Sequence, residues 1–227
     1  MLLLRPGPPA AVHSLLRSQE PVLAAAVSRD GERVAVGTVD GLVRLYRVDT
    51  GETLWQMPHH ADWITSLDFS PDGALLVSAS RDRTVRVIRA QDGELEAVYP
   101  QHEAAVLAVA VEPGGRLAVS SGRDNRLHAW SLADAKQVRK QEGVTSEVAR
   151  LLSTPEGWLA GGSDRKVWLL APGLAKGAVE LGAHQEWIAA LAWSAEAGLA
   201  ASGSLDGEVR IWNLKERREI GRFRAQP

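Results

Sequence analysis

The stretch HHADWITSLDFSPDGALLVSASRDRTVRVI, residues 59–88, decides how the chain must be read. Its apolar residues alternate or run together over six or seven positions, and SPDG at Ser70–Gly73 interrupts them. That pattern predicts short strands joined by tight turns, because strand side chains alternate between two faces and Asp-Gly tolerates hairpin backbone. Outward from it, GTVDGLVRLY, SASRDRTVRVI, SSGRDNRLHAW, GGSDRKVWLL and SGSLDGEVRIW stack on one another almost without gaps. Their shared aspartates are Asp40, Asp82, Asp124, Asp164 and Asp206, at successive intervals of 42, 42, 40 and 42 residues. An interval of that length in a strand-forming sequence predicts four short antiparallel strands per repeat.

Each unit reads as an apolar first run (ITSLDFS, VLAVAV, IAALAWS), a turn, and a second run (LLVSAS, RLAVSS, LAASGS). The aspartate turn, a β-branched third run (TVRVI, EVRIW) and a weaker fourth strand after another turn complete it. The units span about 22–57, 63–99, 105–140, 146–181 and 187–224, within a single domain over 1–227. One such sheet exposes both faces, so a core forms only when neighbours stack around an axis. The expected fold is all-β: a β-propeller of five four-stranded blades.

The stretches 59–88, QHEAAVLAVAVEPGGRLAVSSGRDNRLHAW (101–130) and AHQEWIAALAWSAEAGLAASGSLDGEVRIW (183–212) closely resemble the WD (tryptophan–aspartate) repeat of β-propellers. The resemblance runs from Pro21 to Phe223. It implies a hydrogen-bonded tetrad in a complete blade: His before the first strand, Ser or Thr in the second, Asp in the next turn, Trp in the third. Blade 2 offers His60, Ser78 and Asp82, with Ile88 in place of Trp. Blade 3 offers His102, Ser120, Asp124 and Trp130, and blade 5 offers His184, Ser202, Asp206 and Trp212. Blade 1 keeps Asp40 alone, with Ser18, Val36 and Tyr46 elsewhere; blade 4 keeps Asp164, with Val144, Ala160 and Leu170. The terminal Asp of the family's name is absent from every blade, where Arg47, Arg89, Ser131, Ala171 and Asn213 stand. A triad-like set that recurs at blade spacing is a scaffold device. An unpaired Asp between blades is costly, and a His oriented by Ser and Trp satisfies it.

Shifting 43–57 back by 42 places LLLR on RLYR and AAVHSL on ETLWQM. Residues 1–16 therefore read as a third-and-fourth-strand hairpin, half of a further blade lacking its two inner strands. The ring then closes either with five blades and this hairpin over the joint, or as an open ring of five and a half. An open ring exposes strand edges that a protein partner can complete by strand addition.

Composition narrows function. The 227 residues carry a net charge of −2 and no cysteine, which removes disulfides, thiolate metal sites and a cysteine nucleophile. Arginine supplies 21 of the 26 basic residues, yet the local cluster Arg81, Arg83, Arg86 and Arg89 alternates between faces beside Asp62, Asp68 and Asp72. Nucleic-acid binding, which needs a continuous positive surface, is not expected. No apolar run approaches the roughly 20 residues that span a bilayer, and a cytoplasmic location is expected. Arg over Lys, abundant Ala and absent Cys suit a bacterial source. No cofactor or metal is expected; VDTGETLW (Val48–Trp55) fits an ordinary outer hairpin.

In a propeller the loops before the first strand and between the second and third share one rim. Pro21, Trp63, Ala105, Glu147 and Trp187 precede first strands; Val39, Arg81, Arg123, Ser163 and Leu205 precede the aspartates. Trp and Arg are enriched in binding hot spots, and the guanidinium fork suits a carboxylate or phosphate. Trp63, Arg81, Arg123, Trp187 and Leu205 are thus candidate partner contacts, against the alternative that each Trp caps its own blade. The expected function is a non-catalytic protein-interaction scaffold or assembly subunit. The rival is a propeller enzyme or small-molecule sensor with its ligand in the central channel. The channel strands VLAAAV, ITSLDF, VLAVAV, VARLLS and IAALAW disfavour it, since Asp68 is their only carboxylate.

Overall fold

In the computed structural model, which describes residues 20–141, 146–175 and 177–224, the repeats form five separate antiparallel sheets of four strands. Blade 1 comprises β1 (Val22–Val27), β2 (Arg33–Thr38), β3 (Leu42–Arg47) and β4 (Thr53–Pro58). Blade 2 comprises β5 (Ile64–Phe69), β6 (Leu75–Ser80), β7 (Val85–Arg89) and β8 (Leu95–Tyr99). Blade 3 follows with β9 (Val106–Val111), β10 (Leu117–Gly122), β11 (Leu127–Ser131) and β12 (Gln137–Gln141). Blade 4 has β13 (Val148–Thr154), β14 (Gly157–Gly162), β15 (Lys166–Leu170) and β16 (Ala178–Ala183), with a short 3-10 turn at Pro172–Leu174 before its last strand. Blade 5 has β17 (Ile188–Ser194), β18 (Leu199–Ser204), β19 (Glu208–Asn213) and β20 (Arg218–Arg224). The half-blade expected at 1–16 lies outside the described residues, as do Ser18 and Val144. No helix among the described residues is long and apolar enough to cross a membrane.

Two irregularities repeat in every blade. The first strand slips register near its start, as between Ile64 and Ser66 or Ile188 and Ala190, and the third slips against the fourth, as between Ala129 and Trp130. Such bulges add local twist, which lets each sheet fan from the axis to the periphery. The residue after each shared aspartate is left-handed in all five: Gly41, Arg83, Asn125, Arg165 and Gly207 have φ between 56° and 81°. The turn, not the residue type, dictates that backbone.

The core lies between blades. Blade 1 gives Ala35, Val43, Leu45 and Trp55 to a cluster with Ile64, Leu76 and Ile88 of blade 2. The next interfaces repeat this with Val77, Val85 and Val87 against Val106 and Trp130, then Val119 and Leu127 against Val148, Trp158 and Leu170. Leu159 and Val167 meet Ile188, Ala200 and Trp212 in the last. Inner strands pack in sequence, β1 on β5, β5 on β9, β9 on β13 and β13 on β17, and polar side chains staple them. The Thr65 hydroxyl donates to the Val106 carbonyl at 2.9 Å, Asp68 accepts from the Val111 N–H at 2.7 Å, and Arg150 Nε donates to the Ala189 carbonyl at 2.8 Å. Asp68 and Arg150, the charged groups of the channel strands, thus hold neighbouring strands together.

Candidate functional site

The tetrads assemble at the interfaces. In blade 3 His102 Nδ1 donates to Asp124 at 2.9 Å, while Ser120 Oγ donates to Nε2 at 2.7 Å and accepts from Trp130 Nε1 at 3.3 Å. Burial alone would raise the Asp124 carboxyl; its coupling to the His102 imidazole, with the hydrogen bonds from His102 and from the Glu103 and Arg126 N–H groups, outweighs it and holds it below the ordinary value. Burial lowers His102 despite Asp124, so the pair is a neutral imidazole donating to a carboxylate. In blade 2 His60 bridges Asp82 at 2.8 Å and Ser78 at 2.7 Å, and the Thr84 hydroxyl donates to Asp82 at 2.7 Å. Blade 5 is looser: His184 accepts from Ser202 at 2.8 Å, but its Nδ1 is 3.4 Å from Asp206. Trp212 Nε1 donates to Ser202 at 2.8 Å.

Three features escape the tetrad pattern. Tyr99 of blade 2 reaches into blade 3, donating to Gln137 at 2.9 Å and accepting from His128 Nδ1 at 2.8 Å. Its ring stacks on Trp130 at 5.2 Å. His128 itself stacks on His102 at 4.2 Å, and burial beside His102 pushes it down to about 4. In blade 4 the indole of Trp168, two residues before the expected position, donates to Asp164 at 2.8 Å. In blade 1 the Thr38 hydroxyl donates to Asp40. An aspartate deprived of His had to find another donor, a signal the sequence did contain in the nearby Trp and Thr.

Among the described residues two side-chain groups offer ligand atoms within 4.8 Å of one another: His102, Asp124 and His128, and His184, Asp206 and Glu208. In the first the imidazoles stack nearly parallel, 15° apart, so their in-plane lone pairs do not converge. In the second the Arg210 guanidinium already sits 3.1 Å from Glu208.

The candidate rim residues are brought together in pairs by one repeated backbone hydrogen bond. The residue before each aspartate donates its N–H to the carbonyl of the residue before the first strand: Arg81 to Trp63 at 3.0 Å, Arg123 to Ala105 at 2.8 Å, Leu205 to Trp187 at 3.0 Å. The Trp63, Trp187 and Leu205 side chains are 43%, 53% and 69% exposed, although the backbone beneath them is pinned. The Arg81 guanidinium lies over the Trp63 ring at 4.2 Å, and Arg123 reaches Glu147 of the next blade at 3.6 Å. Trp63 and Trp187 therefore lie outside the blade cores, whose indoles Trp130, Trp158 and Trp212 are fully buried. Of the local arginine cluster, Arg89 is held by Asp92, Glu94 and Glu96.

A family profile described as "WD domain, G-beta repeat" matches residues 11–47, 51–89, 93–131 and 178–213. Over 100 residues the chain is 30% identical to Meiotic fizzy-related protein 1 of Schizosaccharomyces pombe, covering 43% of this chain and 23% of that protein. It superposes with a TM-score of 0.84 on a solved structure titled "Structure of U3-55K", at 21% identity over 94% of this chain and 69% of that one. "Crystal structure of RRP9 WD40 repeats" gives the same score at 22% identity, over 92% of this chain and 65% of that one. The chain thus spans about two thirds of those solved chains and under a quarter of the yeast protein.

Proposed function

The chain belongs to the WD-repeat family of β-propellers, and from that premise we propose that it is a non-catalytic platform that docks other proteins on its rim. The observation that carries this is the placement of Trp63 with Arg81, and Trp187 with Leu205, as exposed side chains on hydrogen-bonded hairpins. Anchors held by rigid backbone lose little conformational freedom on docking, and large amphipathic rings bury much area per ordered bond. Arg81 sits over an indole, and a guanidinium stacked on a ring can still donate its N–H groups to an acceptor, which suits a carboxylate-bearing protein surface. Arg123 is the weaker anchor, because Glu147 already competes for it. A second docking mode belongs to the same reading: a partner strand adding to an incomplete blade.

The rival, a ligand in the central channel, is supported less. Asp68, the carboxylate among the channel strands, accepts from the N–H groups of Val111 and Phe69. The test is capture of partners from a native extract by the wild-type chain, Trp63→Ala and Trp187→Ala. Loss of the same captured proteins with an unchanged melting temperature is expected. Full capture by both variants refutes rim docking, and a large fall in melting temperature for both assigns the indoles to the core.

A further inference from the structure

Five copies of one unit expose the copy that departs from the others. The shared aspartate follows the first residue of the first strand by 18 positions in blades 1, 2, 3 and 5 (Val22 to Asp40, Ile64 to Asp82, Val106 to Asp124, Ile188 to Asp206) and by 16 in blade 4 (Val148 to Asp164). The shortening falls in the first turn: four or five residues join the first and second strands elsewhere, whereas in blade 4 Pro155 and Glu156 do so alone. The other turn at the same end of the blade is lengthened instead. Residues 171–177 join β15 to β16, against four or five residues in the other blades. A retracted turn beside an extended one leaves a notch of about 220 Å³ between blades 3 and 4. Its walls include Pro113 of blade 3 and Ser153, Pro155, Trp158, Pro172 and Gly173 of blade 4. It opens at the end opposite Trp63, because in an antiparallel sheet the turns after first and third strands lie at one end and the others at the far end.

The walls are stiff. Leu174, buried in the core between blades 3 and 4, is left-handed at φ 53° directly after Gly173 at 61°, and their turn packs on β12 of blade 3. A side chain as large as Leu holds that conformation only where its surroundings enforce it. Three prolines add surfaces with a fixed φ and no N–H. Beside these apolar walls stand polar groups without partners. Of the four indoles buried among the described residues, those of Trp55, Trp130 and Trp212 donate to Ala90, Ser120 and Ser202 at 3.0, 3.3 and 2.8 Å. The fourth, Trp158, is 2% exposed and has no acceptor among the described residues. The Ser153 hydroxyl and one Glu156 carboxylate oxygen, on the same hairpin, are also buried and unpartnered. Such orphans are rare in folded chains. Glu112, at the edge of the notch, accepts from the Arg116 and Leu117 N–H groups, yet neither it nor Glu156 pairs with a cation among the described residues.

We propose that this notch docks an extended segment of a partner protein, which inserts one aliphatic side chain between the prolines, gives a backbone carbonyl to the Trp158 N–H, and carries a basic residue for Glu112. Size sets the occupant: about 220 Å³ lies below the roughly 300–1,000 Å³ of small-molecule and cofactor sites, so a single side chain fills it. Chemistry sets the rest. The proline walls take an apolar anchor, the orphaned indole takes an acceptor, and the unpaired carboxylates take a cation. The charge preference is the reverse of that of the Arg81 hairpin at the opposite end of the blades.

This goes beyond rim docking and stands or falls separately, since different indoles report the two faces. In the isotope-labelled full chain the eight tryptophan N–H resonances, once assigned, are followed by NMR while acetyl-Arg-Leu-Arg-amide is added at millimolar concentration. A saturable shift of the Trp158 resonance is expected, with those of Trp63 and Trp187 unmoved. Acetyl-Glu-Leu-Glu-amide and acetyl-Arg-Gly-Arg-amide, which lack the cation and the anchor respectively, are expected to leave Trp158 unchanged. Glu112→Gln keeps the oxygen that closes its turn and removes the charge. It should weaken binding of the basic peptide about fivefold, the effect of one unit charge at about 4 Å in water. No saturable shift at Trp158, or equal shifts with all three peptides, overturns the proposal. Shifts confined to Trp63 or Trp187 place the peptide on the rim and overturn it equally. A Trp158 shift produced by raising the protein concentration alone assigns the notch to a second copy, which also refutes it.

Discussion

Replacing Asp124 with Ala removes one acceptor that serves three donors: His102 Nδ1 at 2.9 Å, the Glu103 N–H at 3.1 Å and the Arg126 N–H at 3.2 Å. His102 is enclosed between blades 2 and 3, stacked on His128 and in edge contact with Tyr99, so no water replaces the lost carboxylate without disturbing that packing. A buried charge-assisted hydrogen bond contributes about 1.5–3 kcal/mol, and orphaned donors add their desolvation cost, so the loss should be about 3–5 kcal/mol. For a chain of this size that is a fall of about 10 °C in melting temperature. Asp164→Ala is the internal control, because among the described residues Asp164 serves the partly exposed Trp168 indole and the Lys166 N–H, and it should cost about 1 kcal/mol. Urea unfolding at pH 7, with the denaturant slope checked for constancy, measures both. If the two substitutions cost the same, or Asp124→Ala costs under about 1 kcal/mol, the tetrad does not hold the interface.

Burial raises Asp68 to about 6, so between about pH 4 and pH 6 the folded chain holds a proton that the unfolded chain has released. Its contribution to stability therefore grows as pH falls through 6, and Asp68→Asn should flatten that part of the pH profile of unfolding midpoints. His128 acts with the opposite sign: folded it titrates at about 4 against 6.5 unfolded. Stability is lost as pH drops from 6.5 toward 4, and His128→Gln should reduce that loss in the same titration. Gly37→Ala drives a methyl into Ile64 and should cost about 1–3 kcal/mol, whereas Gly203→Ala should be nearly neutral in thermal unfolding.

The five four-stranded blades were legible because a period of about 42 residues and the alternation of strands are backbone-scale signals that five copies reinforce. The tetrads were legible where all members survive. The role of Trp168 was not, because the bulge between Val167 and Trp168 changes which side chain reaches the turn. Nor was the Tyr99, His128 and Gln137 network, whose members lie 29 and 38 residues apart on two blades. The rim was half legible: sequence put Trp63 and Arg81 on one rim, but the structure shows the guanidinium over the ring and Glu147 engaging Arg123.

The blades that lost the tetrad show how such a network is given up. Blade 4 replaces Ser and Trp together with Ala160 and Leu170, and blade 1 replaces them with Val36 and Tyr46; all four are buried. In both blades the Ser and Trp are absent together with the His, so no hydroxyl or imidazole of the set is left stranded, whereas in blade 2 Ile88 removes only the outermost donor and His60, Ser78 and Asp82 stay paired. The turns still use both aspartates: Asp164 caps the Lys166 N–H at 3.2 Å, as Asp124 caps Arg126 and Asp206 caps Glu208, and Asp40 accepts from the Thr38 hydroxyl. The aspartate thus has two separable duties, closing a left-handed turn and receiving an imidazole across the blade. In blades 1 and 4 only the second has been dropped, together with the Ser and Trp that orient the imidazole in blades 3 and 5.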